Sequence, residues 1–273
     1  MKRLLLLAAL LVATSATLSG SKLASAATTC AFTVDVGAMT MTLNADCTTD
    51  TSILIPDGYT LDGDGHTITA VDPVGGHFLG GVVTNAGTSA HVTNLTVTTS
   101  NLVNVCDAGD DRLRGILFEG AAGSITNNTV TGINQGPSGC QEGNAIEVRN
   151  APFDNTGSDV FVTISGNYAD AYIKNGITVN GSVAATVVNN TVIGNGPVGV
   201  PLAAQNGIQI GFGATAIVRD NTISDHDYTP ESWTACGLLL YQADGVKAYR
   251  NEYSANEVSL CNVGKGGGNV SFD

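Results

Sequence analysis

Asn175-Gly-Ile-Thr-Val179 and, a short way on, Asn189-Asn-Thr-Val192 form a pair of phrases that returns as Asn206-Gly-Ile-Gln-Ile210 and Asp220-Asn-Thr-Ile223. The first phrase recurs as Gly115-Ile116, Ala145-Ile146, Gly176-Ile177, Gly207-Ile208 and Gly237-Leu238, at spacings of 30, 31, 31 and 30 residues. The second follows each time, as Ile125-Thr-Asn-Asn128, Ile164-Ser-Gly-Asn167, Val187-Val-Asn-Asn190, Val218-Arg-Asp-Asn221 and Ala248-Tyr-Arg-Asn251. The two landmarks lie 13 residues apart in the first repeat and 14 in the last three; an insertion at Asn150 to Asp159 stretches the second to 22. Toward the N-terminus the pattern fades, with Val92-Thr-Asn-Leu-Thr-Val97 and His66-Thr-Ile68 as earlier rungs. A repeat of about thirty residues in such close register describes a solenoid.

Alternate residues of a strand face opposite sides, so Ile116/Phe118, Ile146/Val148, Ile177/Val179, Ile208/Ile210 and Leu238/Leu240 point one way. One rung cannot bury that face alone, but stacked rungs make it a continuous core. The recurrent Asn falls at a bend, where left-handed backbone angles are tolerated and its amide reaches the amide one rung away. Asn128, Asn167, Asn190, Asn221 and Asn251 are therefore read as a structural ladder, and Asn144, Asn175 and Asn206 as a second. The predicted fold class is all-β, a right-handed parallel β-helix with three strands per rung and about six to seven rungs. A β-sandwich would also supply short strands, but not a repeat that keeps register to one residue.

The composition agrees: 34 glycines, 5% aromatic and 13% charged residues suit short strands and turns rather than helices. Met1-Lys2-Arg3, the apolar run Leu4 to Val12 and Ala24-Ser25-Ala26 read as a secretory signal peptide cut after Ala26. The expected organisation is thus a signal peptide over 1–26, an N-terminal cap over 27–60 and the β-helix over 61–273. Past Ala26 no apolar run is long enough to span a bilayer, so a secreted protein with no membrane insertion is expected. Losing Lys2, Arg3 and Lys22 moves the formal charge from −13 to −16, which disfavours nucleic acid as a partner. Cys30, Cys47, Cys106, Cys140, Cys236 and Cys261 all follow the cut, and an even count in an exported chain suggests disulfides. Several connectivities are open; pairing of sequence neighbours is the simplest. Zinc would call for close pairs such as C-x-x-C, which the chain lacks.

Asn-Gly-Ile-x-Val followed by Ile-x-x-Asn-Thr-Val resembles the parallel β-helix repeat of the pectate-lyase-like superfamily, over about Leu61 to Asn262. Leu61-Asp-Gly-Asp-Gly-His-Thr-Ile68 is similar to the opening rung of such proteins. The resemblance implies the fold and, more loosely, a carbohydrate ligand. The superfamily holds polysaccharide lyases, glycoside hydrolases, epimerases, NosD-like copper-maturation proteins and adhesins. The hydrolase set Asn-x-Asp, Asp-Asp, Gly-His-Gly and Arg-x-Lys is broken here: Asp110-Asp111 stands alone and Gly65-His66 is followed by Thr67. Asp225-His226-Asp227 does not match the epimerase Asp-Pro-His-Glu either.

Four long segments, 132–144, 168–175, 194–206 and 224–236, occupy the same repeat position, so they rise on one edge of the coil and can wall a groove. Its floor would be the outward residues of the Gly-Ile strands: Leu117, Glu147, Thr178, Gln209 and Leu239 in one row, Glu119, Arg149, Asn180, Gly211 and Tyr241 in the next. Thr178, Gln209 and Gln205 offer hydrogen bonds to a sugar, and Tyr241, Tyr228 and Trp233 offer flat apolar faces. Elimination on a uronic acid needs a base, a cation for the enolate and an acid for the leaving oxygen. Lys174 or His226 is the candidate base, Arg149 the cation and Tyr228 the acid; hydrolysis would instead need two acids, for which Glu147 with Asp225 or Asp227 are the candidates. Against this, Glu119 lies one rung from Arg149 and can simply pair with it. Asp225 and Asp227 bring calcium only two carboxylates against the six to eight oxygens it takes, so no cofactor is expected.

Two readings stay open: a carbohydrate-binding or polysaccharide-modifying protein, with a lyase as its enzymatic form, and a non-catalytic extracellular scaffold or adhesin. Metal delivery ranks below both, because His66, His77, His91 and His226 do not recur with the repeat.

Overall fold

A computed structural model describes residues 28–154, 156–229, 232–243, 245–264 and 271–272. The expected signal peptide and its cleavage point fall outside the described residues.

Each rung runs through three short strands, and among the described residues equivalent strands stack into three sheets of 10, 8 and 8 strands, parallel throughout except for the first strand of the largest. The Gly-Ile strands, from Ile53–Ile55 to Val258–Val263, form one 8-stranded sheet. The strands that lead into the recurrent Asn form the 10-stranded sheet, and those that follow it the other. This is the three-strand parallel β-helix that the repeat predicts, with eight rungs among the described residues where about six to seven were expected. The register is the predicted one: Ile116 pairs with Ile146, Ile146 with Ile177, Ile177 with Ile208 and Ile208 with Leu238. Their side chains and the inward residues of the other two sheets form one buried column.

The coil starts before Leu61. Thr40–Leu43, Cys47–Thr49 and Ile53–Ile55 already pair in parallel with the next rung, so most of the segment expected as a cap is the first rung. Among the described residues, Phe32–Asp35, antiparallel to Thr40–Leu43 and held by Cys30–Cys47, closes the end. The first rung hides in the sequence because Met41/Leu43 and Ile53/Ile55 alternate without the Gly-Ile and Asn-Thr landmarks. The other two disulfides are Cys106–Cys140 and Cys236–Cys261, so all three join sequence neighbours.

The main asparagine ladder runs unbroken. Asn128 Nδ2 donates to Asn167 Oδ1 at 3.0 Å, Asn167 to Asn190, Asn190 to Asn221, and Asn221 to Asn251 at 2.8 Å. Each side chain also donates to a carbonyl of the preceding rung, as Asn190 does to Ile164. The left-handed residue at the bend is the one before the ladder Asn: Asn127, Gly166, Asn189, Asp220 and Arg250 all have φ between 52° and 66°. Turn and ladder are separate jobs on adjacent residues.

Gly176 and Gly207 open their strands because the chain passes close to its own rung there. A Cβ would sit 2.2 Å from Val192 Cγ1 at Gly176, and 2.5 Å from Ile223 Cγ2 at Gly207. Among the described residues no helix is long and apolar enough to cross a membrane.

Candidate functional site

The outward face of the Gly-Ile sheet carries the two predicted rows. Leu117, Glu147, Thr178, Gln209 and Leu239 lie in register across five rungs, as do Glu119, Arg149, Asn180, Gly211 and Tyr241. One end of this face is roofed. The segment before Gly115 folds back over it and is fixed to the 132–143 loop by Cys106–Cys140. Glu142 completes the tie by accepting hydrogen bonds from the Asp107 and Leu113 amides at 3.0 and 2.8 Å. Cys106, Cys140 and Glu142 bring three potential metal ligands together, but both sulfurs are spent in the disulfide.

The roof brings Arg112 to the floor, and Arg114 opens the floor strand Arg114–Glu119. Arg114 Nε donates to Glu147 Oε2 at 2.6 Å, and its two Nη groups bond the carbonyls of Gly109, Asp110 and Arg112. Arg149 Nη2 bonds Asp110 at 2.6 Å and Glu119 at 2.8 Å, the cross-rung pair that the register predicts. Burial opposes the Arg149 charge, but Glu119, Glu147 and Asp110 outweigh it and raise its pKa. The other two cations lack such partners. Among the described residues Arg112 makes no ion pair, and its Nε is buried without a hydrogen-bond partner. Among the described residues Lys174 Nζ donates only to the Ala204 carbonyl, at 2.9 Å, and burial lowers its pKa to about 8.

These residues surround one groove in three connected recesses. The middle one, about 220 Å³, has Arg112, Arg114, Asn144, Glu147, Lys174 and Thr178 in its walls. It continues past Arg112 and Asn180 to Arg149 and Phe212, and past Gln141 and Lys174 to Trp233 and the edge of Tyr228. Trp233 is 71% exposed, and Phe212 packs on Tyr241 with ring centres 5.1 Å apart. Gln209 accepts from Asn175 and donates to Asn180, so the floor is a mesh of amides. Four of the eleven Lys and Arg residues of a chain with 24 acids thus meet in one groove.

Glu147, Arg149, Lys174, Thr178 and Gln209 are brought together, with Trp233 at one end. Asp225, His226 and Gln205 are not. A left-handed turn at Asp225, φ 64°, shifts the strand's alternation by one, so His226 and Tyr228 face inward. His226 is 0% exposed, bonded to the Tyr172 hydroxyl and, at 2.8 Å, to Asn256 Oδ1. Burial lowers its pKa to about 4, so its expectation as a base is corrected: it is a sealed, neutral core histidine. Asp225 accepts from Ser224, and Gln205 braces Asn195 and the Tyr172 carbonyl beside an apolar recess that lacks the groove's cations. Tyr228 packs with Val198, Ala204 and Ala235, which leaves its hydroxyl little access.

Arg112 and Arg114 escaped the sequence reading, yet a signal exists. Arg114 stands where later rungs have Asn144, Asn175 and Asn206, and a cation in a ladder position needs a buried acid. Arg112, two residues earlier, reaches the same groove.

Residues 36–230 match a family described as protein of unknown function (DUF1565). The chain belongs to this family. No curated protein and no solved structure matched it. The part that is DUF1565 includes every cation of the groove, while Trp233 lies just past it.

Proposed function

We propose that this DUF1565 chain is an exported protein that binds an acidic polysaccharide along the groove. The observation that carries the reading is that Arg112 and Lys174 line the same recess without a carboxylate partner, in a chain with a net charge of −13. Acids are plentiful, so two unpaired cations in one recess are best accounted for by an anion brought from outside. A uronate chain supplies carboxylates for them and hydroxyls for the amide mesh of Asn175, Asn180 and Gln209, while Trp233 offers a stacking face. The three disulfides suit an oxidising compartment, in keeping with the export expected from the N-terminus.

A lyase version rests on Lys174. With a pKa of about 8, a useful fraction is neutral near pH 8 and able to take the proton beside a uronate carboxylate, with Arg112 facing the enolate; as the double bond forms the C–O bond breaks, and the protonated amine returns its proton to the departing oxygen. Arg149, tied to two carboxylates, is less suited to that role.

Calorimetric titration with polyuronates, alongside ultraviolet absorbance for unsaturated ends, tests both. Binding that weakens at least tenfold in Arg112→Gln and Lys174→Met supports the reading; full-strength binding by both variants, or none by the native protein, sinks it. Binding with no absorbance change leaves a binding protein.

A further inference from the structure

The second asparagine ladder is interrupted inside the groove. Asn206 Nδ2 donates to Asn175 Oδ1 at 2.9 Å, and the register that pairs Ile146 with Ile177 sets Asn144 beside Asn175. An unbroken ladder would have Asn175 donate to Asn144 Oδ1. Instead Asn175 Nδ2 turns to Thr178 Oγ1 at 3.0 Å and Gln209 Oε1 at 3.3 Å. Asn144 Nδ2 is anchored on Glu147 Oε2 at 2.7 Å, which fixes the amide, and Asn144 Oδ1 is left buried without a partner. Asn144 is 9% exposed and lines the recess that holds Arg112 and Lys174. A buried acceptor with no donor is destabilising, so its place in the recess of two unpaired cations calls for a ligand group.

We infer that Asn144 Oδ1 is a specificity-determining acceptor for a sugar hydroxyl, in the same subsite where Arg112 and Lys174 take the carboxylate. The inference rests on the acidic-polysaccharide reading and narrows it: the ligand is a uronate whose ring hydroxyls are free. Only a donor satisfies this oxygen. An O-acylated uronate has the same charge but replaces the donor with an ester, and a polyanion without hydroxyls has no donor at all. The cations supply affinity for negative charge, and Asn144 separates one anion from another.

The test is calorimetric titration of the full chain with a uronate oligomer and its chemically O-acetylated form, in the native protein, in Asn144→Leu and in Lys174→Met. The expected result is a loss of about tenfold on acetylation in the native protein. Asn144→Leu should bind both forms alike, near the native affinity for the acetylated one, while Lys174→Met should weaken for both yet keep the acetylation ratio. If Asn144→Leu does not fold, Asn144→Ala, which removes the oxygen without adding bulk, should likewise lose the ratio, and a ratio kept in it overturns the inference. Equal native affinities for the two forms, or a ratio unchanged in Asn144→Leu, overturn the inference and leave the polyuronate reading standing. Failure of the native protein to bind either form overturns the reading itself, and the inference with it.

Discussion

Arg114 Nε and Glu147 Oε2 are joined at 2.6 Å with both side chains almost wholly buried, 3% and 6% exposed, across adjacent rungs under the roof of the groove. The pair sets the position of the floor. Glu147 also receives Asn144, and Arg114 holds the roof through three backbone carbonyls.

Removing one partner leaves the other's charge buried and uncompensated. Glu147→Leu is expected to cost roughly 3–5 kcal/mol, and Arg114→Met/Glu147→Leu to recover most of it, because an apolar pair of similar volume avoids the desolvation cost. Urea unfolding of the native chain and the two variants measures this. A double variant no more stable than Glu147→Leu alone would show that the pair is not the source of the loss.

The main ladder should fail unevenly. Asn190 accepts from both the backbone and side-chain nitrogens of Asn167, so Asn190→Ala orphans two buried donors and should cost roughly 2–4 kcal/mol. Asn251 accepts the same two bonds from Asn221 but is half-buried at the end of the ladder, where water can replace its oxygen, so Asn251→Ala should cost about 1 kcal/mol. Thermal unfolding ranks them, and equal losses would argue that the ladder is not read rung by rung.

The coil was legible because its determinants are periodic. Ile146, Ile177 and Ile208 recur in register, and a core built by stacking equivalent positions must leave that trace. The site is legible only where it borrows the period. Glu147 and Thr178 fall in the floor because alternation puts them there. Arg112 comes from a non-repeating segment held by Cys106–Cys140 and Glu142, and nothing periodic announces a roof. His226 went astray for a third reason: one left-handed residue, Asp225, reverses the alternation and turns a supposed loop histidine into the core.

That histidine gives the protein an acid limit. Burial holds His226 at about 4 in the folded state against about 6.5 unfolded, so between those values the unfolded chain binds more protons. Its contribution is complete above pH 6.5 and drains away as pH falls toward 4, amounting to roughly 3 kcal/mol. Urea titrations at pH 7, 5 and 4 should show this loss in the native chain and a shallower one in His226→Leu. Parallel slopes would place the acid sensitivity elsewhere.

Lys174 titrates at the other end, and the direction tells binding from chemistry. Burial lowers its pKa from 10.5 to about 8, so the folded state sheds the proton first and its stability rises with pH between those values. At neutral pH the buried charge is a burden of roughly 3 kcal/mol, which Lys174→Met should relieve in the free protein. Binding has the opposite preference. A uronate carboxylate is held by the protonated amine, so affinity should be highest below pH 8 and fall about tenfold above it, a fall absent from Lys174→Met. Elimination needs the neutral amine, so its rate at saturating polyuronate should instead climb as pH rises through about 8. Affinity and turnover measured over pH 6 to 10 should therefore cross. A fall in affinity with no turnover at any pH assigns Lys174 to binding alone, and a flat affinity profile removes it from the site.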